Sequence, residues 1–166
     1  MIILTVDVGI RVCGYAVAGI KGSNVHLIKQ GEIKPKPSDT MPVKLDMIVT
    51  ELEKQVEEFK PGAVVVETLY SHHKHPTTLG ILAQVKGVIA LFSQRWGIEY
   101  FEFSTTRARK SFLGKGNVDS LRVKKMAENI TGMQFTSEHT ADAFSLASAF
   151  AHEMMFYRLR NQLNKK

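Results

Sequence analysis

The chain has 166 residues, of which 44% are hydrophobic and 23% are charged, and we expect residues 1–166 to form a single globular domain. Its formal net charge of +6 favours a polyanionic partner such as a nucleic acid. The only cysteine, Cys13, excludes an intrachain disulfide and is expected to be a small core residue. No signal-peptide pattern opens the chain and its apolar runs look too short to span a bilayer, so we predict a cytoplasmic protein with no membrane association.

An apolar strand opens the chain and places one carboxylate at its end. Residues 2–8 are aliphatic or β-branched except at Asp7. Burying a charged group is costly unless something pairs with it, so we expect a cation beside Asp7. Gly9 and Gly14 flank Arg11 and favour a tight turn, after which residues 15–18 return as an antiparallel strand. This hairpin would place Asp7 near the middle of a sheet.

A second carboxylate is predicted at the same edge of that sheet. A third strand is predicted over residues 24–33, followed by an amphipathic helix from Leu45 to Phe59 that ends before Pro61. The continuous apolar run 63–67 is typical of a strand covered on both faces, and it ends at Glu67. A right-handed crossover would make this strand parallel to the first, so Asp7 and Glu67 would lie together.

A long apolar helix is predicted from Thr77 or Thr78 to about Arg95. Apolar residues cover about half of its circumference, which is wider than one core-facing stripe requires. Small residues also recur along it at heptad-like spacing, at Gly80, Ala83, Gly87 and Ala90. We infer a homodimer helix, with a helix sandwiched inside its own domain as the alternative.

Two basic helices follow a further predicted strand at residues 97–103. The first begins at Ser104, and after a flexible turn at residues 114–119 the second begins near Ser120. Their cations are predicted to contact phosphates, with an ordinary solvated face as the alternative.

The last helix is predicted to carry two further polar groups on one face. His139 and Asp142 are three residues apart, so both side chains can reach one point. An acid in an Ala-rich helix is costly unless matched by charge, and a simple pair with Arg11 is one alternative for Asp142. His139 could also be an ordinary satisfied histidine.

Asp7, Glu67, His139 and Asp142 together form the candidate site. Mostly oxygen ligands suit hard cations such as Mg²⁺ or Mn²⁺. Zinc is disfavoured, since the three histidines of the loop at residues 70–76 lie too close together for a closed tetrahedral site, and they are better read as phosphate-facing. Acidic ligands in a basic chain indicate two-metal phosphodiester hydrolysis, for which Asp7 is the candidate bridging carboxylate.

Five segments resemble, in order and spacing, the RuvC family of Holliday junction resolvases: residues 7–15, 64–70, 79–87, 114–117 and 139–147. The resemblance implies a ribonuclease H-like α/β fold with a mixed five-stranded sheet flanked by helices. It also implies a homodimer that makes paired nicks in four-way DNA junctions with two Mg²⁺ ions in each active site, where Mn²⁺ would substitute. Asp7, Glu67, His139 and Asp142 match the family's four metal ligands.

The resemblance also assigns binding surfaces. The family's dimer helix matches the long apolar helix, with predicted interface residues Leu79, Leu82, Ala83, Lys86, Gly87 and Ala90. Together with the charge pattern, it predicts DNA contacts for Tyr70, His72, His73, Lys74, Arg107, Arg109, Lys110, Lys115, Arg122 and Lys124. Tyr70 matches an aromatic that acts near the junction crossover.

Three positions depart from the family pattern. Val8 stands where a proline is common, and the loop after Tyr70 is unlike the usual Asn- and Ser-bearing version. Ser120 stands where a lysine is expected, with Arg122 and Lys124 as candidate substitutes.

The sequence therefore predicts a junction-resolving endonuclease in a bacterial or virus-infected bacterial cell, with a branch-migration motor as a candidate partner. Alternatives are a nuclease of broader specificity for forks and flaps, a RuvC-like RNA-processing nuclease, and a junction-binding protein that does not cut. A phosphate-binding domain of the actin and sugar-kinase type shares the Asp-x-Gly pattern but needs two domains.

Overall fold

A computed structural model describes residues 1–69 and 76–163 of the chain. Within these ranges strands β1 to β5 span Ile2–Asp7, Cys13–Lys21, Asn24–Ile33, Ala63–Glu67 and Glu99–Phe103. Helices α1 to α5 span Met41–Phe59, Pro76–Arg95, Thr105–Leu113, Ser120–Thr131 and Glu138–Leu163.

The strands form one mixed sheet in the order β3-β2-β1-β4-β5, so the strand that ends at Asp7 is central. Strands β1, β2 and β3 pair antiparallel, whereas β4 runs parallel to both β1 and β5. The predicted parallel pairing of β1 with β4 is confirmed. Because Val6 is level with Val66, the next residues, Asp7 and Glu67, emerge side by side at the same sheet edge.

Helices cover both faces of the sheet, which explains why β1 and β4 are almost continuously apolar. Alternate residues of a strand face opposite sides, so Ile3 and Val65 pack in the layer that contains α5, while Leu4 and Val64 pack against α1 and α2. By the same alternation Asp7 faces the same side of the sheet as Ile3, and Glu67 faces the same side as Val65, which is the side covered by α5.

Helix α5 lies close to the sheet because its inward residues are small, including Ala141, Ala143 and Ala147, which are fully buried. Gly14 makes the closest approach. A Cβ atom at Gly14 would lie 2.5 Å from the carbonyl carbon and oxygen of His139. Since Gly14 pairs with Asp7 in the β1–β2 hairpin, this contact seats the start of α5 beside Asp7.

The basic helices α3 and α4 begin close to where their capping residues predict. Ser104 accepts a hydrogen bond from the Arg107 backbone N–H at 3.1 Å, and Asp119 accepts one from the Arg122 backbone N–H at 2.9 Å. Helix α2 begins at Pro76, at or just before the predicted Thr77 or Thr78.

Helix α2 corrects one expectation. It has 20 residues, and by length and composition it could cross a membrane. The prediction that every apolar run is too short is therefore wrong. However, Val85 and Ile89 are fully buried against the sheet layer, and Lys86 forms an ion pair with Glu102 of β5 at 2.5 Å. These are contacts of a helix that packs on its own sheet.

The contact at Gly14 makes a testable prediction. Replacing Gly14 with Ala should lower the free energy of unfolding by about 1–3 kcal/mol, because the added methyl group meets the backbone of α5 and not a flexible side chain. Urea unfolding measures the change. Lys21→Ala at the exposed end of β2 is the control and should stay within about 0.5 kcal/mol of the wild type. Equal stability of Gly14→Ala and the wild type would contradict the packing described.

Candidate active site

One cavity of about 640 Å³ at the carboxyl edge of β1 and β4 contains all four predicted site residues, Asp7, Glu67, His139 and Asp142. The rest of its wall is formed by Thr105, Arg109, Ser120, Leu121, Lys124, Ser137 and Glu138. The strand ends supply two acids and the first turns of α5 supply the histidine and the third acid. The side chains that the sequence pattern groups together therefore line one space.

His139 is the partner of Asp7. Its Nδ1 lies 2.8 Å from Asp7 Oδ2, and this hydrogen bond raises the pKa of the histidine above its ordinary value. The Asp7 side chain is 16% exposed, so a nearby cation is needed to offset its desolvation. The cation expected beside Asp7 is thus supplied by the protein when His139 is protonated.

Glu67 is a buried acid beside two other carboxyl groups. Burial is the first cause and the charges of Asp7 and Asp142 are further causes, and together they raise the pKa of Glu67 to about 8. The hydroxyl of Thr105 donates a hydrogen bond to Glu67 Oε1. The positive charge of Arg109 opposes the shift without cancelling it.

Asp142 is held by an arginine and a serine. Arg109 donates from Nε to Oδ1 at 3.2 Å and from Nη2 to Oδ2 at 3.0 Å, which is a bidentate pair. Ser120 donates from its hydroxyl to Oδ2 at 2.7 Å. The alternative pair of Asp142 with Arg11 is therefore wrong, because Arg109 takes that place.

Comparison with known proteins identifies the fold and the family. The family model described as Crossover junction endodeoxyribonuclease RuvC matches residues 3–152. The chain belongs to the RuvC family. Among curated relatives, it is 31% identical over 169 residues to Crossover junction endodeoxyribonuclease RuvC of Chlamydia muridarum, covering 98% of each chain. It is 28% identical over 163 residues to that of Natranaerobius thermophilus, covering 98% of this chain and 100% of the relative.

Solved structures of resolvases share the fold. Thermus thermophilus RuvC in complex with Holliday junction substrate superposes with a TM-score of 0.80 at 21% identity, covering 94% of this chain and 96% of that one. The fowlpox virus Holliday junction resolvase gives a TM-score of 0.57 at 15% identity, covering 92% and 99%. The expected ribonuclease H-like fold with a mixed five-stranded sheet is confirmed.

The donor set of this RuvC-family cavity fits a hard divalent cation. It combines three carboxylates with one imidazole, and a cation would offset the burial and the repulsion that raise the pKa of Glu67. Cys13 lies in the apolar core, where burial raises the pKa of its thiol to about 12, so it is unsuited to bind zinc. In the two ranges described, however, no group of three His, Cys, Asp or Glu side chains is already arranged to hold an ion. Asp7 is instead hydrogen-bonded to His139, and Asp142 is paired with Arg109.

The predicted DNA-contacting cations lie in different surroundings. Arg109 and Lys124 line the cavity, whereas Arg107 lines another one, where it pairs with Glu153 and packs over the Phe103 ring. The remaining cations, Lys110, Lys115 and Arg122, are exposed. Tyr70, His72, His73 and Lys74 lie outside the described residues, so their assignments stay predictions.

The predicted dimer residues divide between two faces of α2. Ala83 and Gly87 are exposed, and Leu79 and Ala90 are partly buried. Leu82 packs against the protein's own core, and Lys86 is occupied by Glu102. Ala83 and Gly87 therefore lie on the exposed face of α2. Leu91, which was not among the predicted interface residues, extends this face and is 50% exposed.

Several residues of the cavity wall were not predicted as site residues, notably Thr105, Ser120 and Leu121. Thr105 and Ser120 each occupy the first position of a helix, immediately after the capping residue. A hydroxyl at the start of a helix reads as part of the cap, so the sequence alone gives no sign that either one reaches an acid.

The pKa of Glu67 predicts a pH-dependent stability. Its rise from 4.5 to about 8 means that folding favours the protonated acid, so this contribution is present below the unfolded pKa and is lost as pH rises through the folded one. Glu67→Gln, which mimics the protonated acid, should match the wild type at pH 5 and be the more stable protein at pH 9. Urea unfolding with a chelator present measures both.

The matched control is Glu57→Gln, at an exposed acid of α1. This control should gain no stability between the two pH values. A constant difference between Glu67→Gln and the wild type would show that Glu67 ionises normally in the folded protein.

Proposed function

We propose that the protein is a single-domain, structure-selective DNA endonuclease that resolves four-way junctions by paired nicks. The observation that carries this proposal is the grouping of Asp7, Glu67 and Asp142 in one cavity of a chain that belongs to the RuvC family. The printed name of its curated relatives and the junction complex of the Thermus thermophilus protein support the substrate class.

The proposed metal ligands are Asp7, Glu67, His139 and Asp142, and the proposed cofactor is two Mg²⁺ ions for each site, replaceable by Mn²⁺. When bound, the ions would activate a water and stabilise the leaving oxygen of the phosphodiester. Asp7 is the proposed bridging ligand because it comes from the central strand. His139 would bind as a neutral imidazole, with one ring nitrogen for the ion and the other able to keep its proton.

The proposed DNA surface surrounds the cavity mouth. Lys124 lies in the wall, four residues after Ser120 on the same helix, and so supplies a cation near the position where the family has a lysine. Arg122 is not among the wall residues and pairs with Asp119, its Nε lying 3.4 Å from Oδ2, whereas Lys124 lines the wall and has Glu128 Oε1 3.9 Å from its Nζ. We therefore propose that Lys124 replaces the lysine of the family pattern. The exposed cations and the loop after Leu69 are proposed to contact DNA phosphates outside the cavity.

Paired nicking needs two active sites, and we propose a homodimer through α2. Among the described residues, no atom beyond the neighbouring residues and nearby backbone of α2 itself lies within 4 Å of the Cβ position of Gly80 or Gly87, so another helix could approach closely there. Leu91 extends this face with a large exposed apolar side chain. Such a dimer would act in the cytoplasm on branched DNA, with a branch-migration motor as a further proposed partner.

The cleavage prediction tests the proposed function directly. With Mg²⁺, the wild type should nick a mobile four-way junction symmetrically and faster than a fork, a flap or a structured RNA. Asp7→Asn should lose about two orders of magnitude or more in cleavage rate while still binding the junction, because it removes a metal ligand and leaves the cations in place. Cleavage mapped on each strand and gel-shift binding measure the two properties.

Faster cutting of forks and flaps would favour the broader nuclease, and faster cutting of RNA would favour the RNA-processing alternative. Cleavage by Asp7→Asn at the wild-type rate would contradict the assigned site. Lys125→Ala, at an exposed position of α4 outside the cavity wall, is the control for a general change of charge.

The dimer prediction uses one charged substitution. Ala83→Glu should convert the dimer to monomers, because a carboxylate would be buried at the centre of the helix pair. Sedimentation velocity gives the oligomeric state, and junction cleavage should change from paired to single nicks. Lys125→Glu, which is remote from α2, should remain dimeric. A dimer of unchanged stability in Ala83→Glu would place the interface on another surface.

A further inference from the structure

Two hydroxyl groups of the cavity wall bind acids of the candidate site. Thr105 donates to Glu67 Oε1, and Ser120 donates to Asp142 Oδ2 at 2.7 Å. Ser120 also accepts a hydrogen bond from Arg109 Nη2 at 2.7 Å, so its proton is directed to the carboxylate. Both donors come from a helix and both acceptors from a different element.

These hydroxyls are not needed to cap their helices. In α3 the capping role belongs to Ser104, and in α4 it belongs to Asp119, each of which accepts from a backbone N–H of the first turn. Thr105 and Ser120 are the first residues after those caps and are free to point outward from the helix. A purely local structural role therefore does not account for either contact.

The acids that they bind lie in a group of three carboxyl groups. Glu67 stands beside two other carboxylates, and repulsion would turn its side chain away from them unless something fixed it. A hydroxyl occupies one lone pair of a carboxylate oxygen and leaves the others for a cation. Glu67 also shares a side-chain hydrogen bond with Asp7, so the hydroxyl of Thr105 fixes a carboxyl group that already lies against a second proposed ligand.

We propose that Thr105 and Ser120 are positioning residues that orient Glu67 and Asp142 for metal binding. This inference rests on the proposed function, which supplies the metal. Ser120 stands where the family pattern has a lysine, so in this chain a neutral donor occupies that place, and Arg109 provides the positive charge beside Asp142. The proposal extends the site from its ligands to the groups that fix them.

Metal affinity is the decisive readout. Thr105→Val keeps the size and branching of the side chain and removes its hydroxyl. Ser120→Ala removes the hydroxyl that contacts Asp142. Each should weaken Mn²⁺ binding, measured by calorimetry without DNA, by about 10-fold, as expected for partners of metal ligands. Thr105→Ser and Ser120→Thr, which retain the hydroxyl, should restore affinity to near the wild-type value.

Thr106→Val is the matched control. It makes the same substitution at the next residue of α3, which contacts Gly116 and does not line the cavity. Junction cleavage across a range of Mg²⁺ concentrations should show that Thr105→Val and Ser120→Ala need more metal for half-maximal rate, whereas KM for the junction stays unchanged. Thermal unfolding should be similar in all of these variants.

The outcomes separate the positioning role from the proposed function. Wild-type Mn²⁺ affinity in both hydroxyl-deleted variants, or an equal loss in Thr106→Val, would overturn the positioning role. A wild-type protein that binds Mn²⁺ but cleaves no branched DNA would overturn the proposed function, and the affinities would still decide the role of the hydroxyls. A wild-type protein that binds no Mn²⁺ would overturn both.

Discussion

Repulsion between three carboxylates at one sheet edge is the constraint on which the active-site architecture depends. Each acid has its own protein partner: a histidine for Asp7, a threonine for Glu67, and an arginine with a serine for Asp142. Because these partners come from α3, α4 and α5, the helices on one face of the sheet are tied to the acids as well as to the core. Several elements thus help to offset the cost of grouping like charges, and burial together with the charges of Asp7 and Asp142 still raises the pKa of Glu67.

The backbone geometry that groups these acids is simple. Parallel pairing of β1 with β4 brings two strand ends together, and strand alternation turns both acids toward α5. Gly14 then lets the α5 backbone come close enough for His139 to reach Asp7. None of these steps requires an irregular backbone, since the described residues contain only one non-glycine with positive φ, Lys60 at the end of α1.

Much of this could be predicted because it follows from hydrophobic period and chain order. The strands that end at Asp7 and Glu67, and the helix that carries His139 and Asp142, are apparent from apolar runs interrupted by costly polar residues. The partners of the acids could not be predicted in the same way, since Thr105 looks like an ordinary first-turn residue. The arginine partner of Asp142 was equally hidden, because Arg109 lies among other cations whose pattern indicates phosphate contact, and only the tertiary fold separates it from them.

The bond between Asp7 and His139 also has a consequence for how the protein is made. It joins positions 132 residues apart, and the helix that supplies His139 follows all five strands in chain order. During translation the strands emerge first and can pair, but the cavity lacks one wall until α5 leaves the ribosome. A chain that stops before α5 therefore presents Asp7 without His139 and lacks two of the four proposed metal ligands. For a protein proposed to cut DNA, assembly of the site therefore depends on a helix that follows all five strands in the chain.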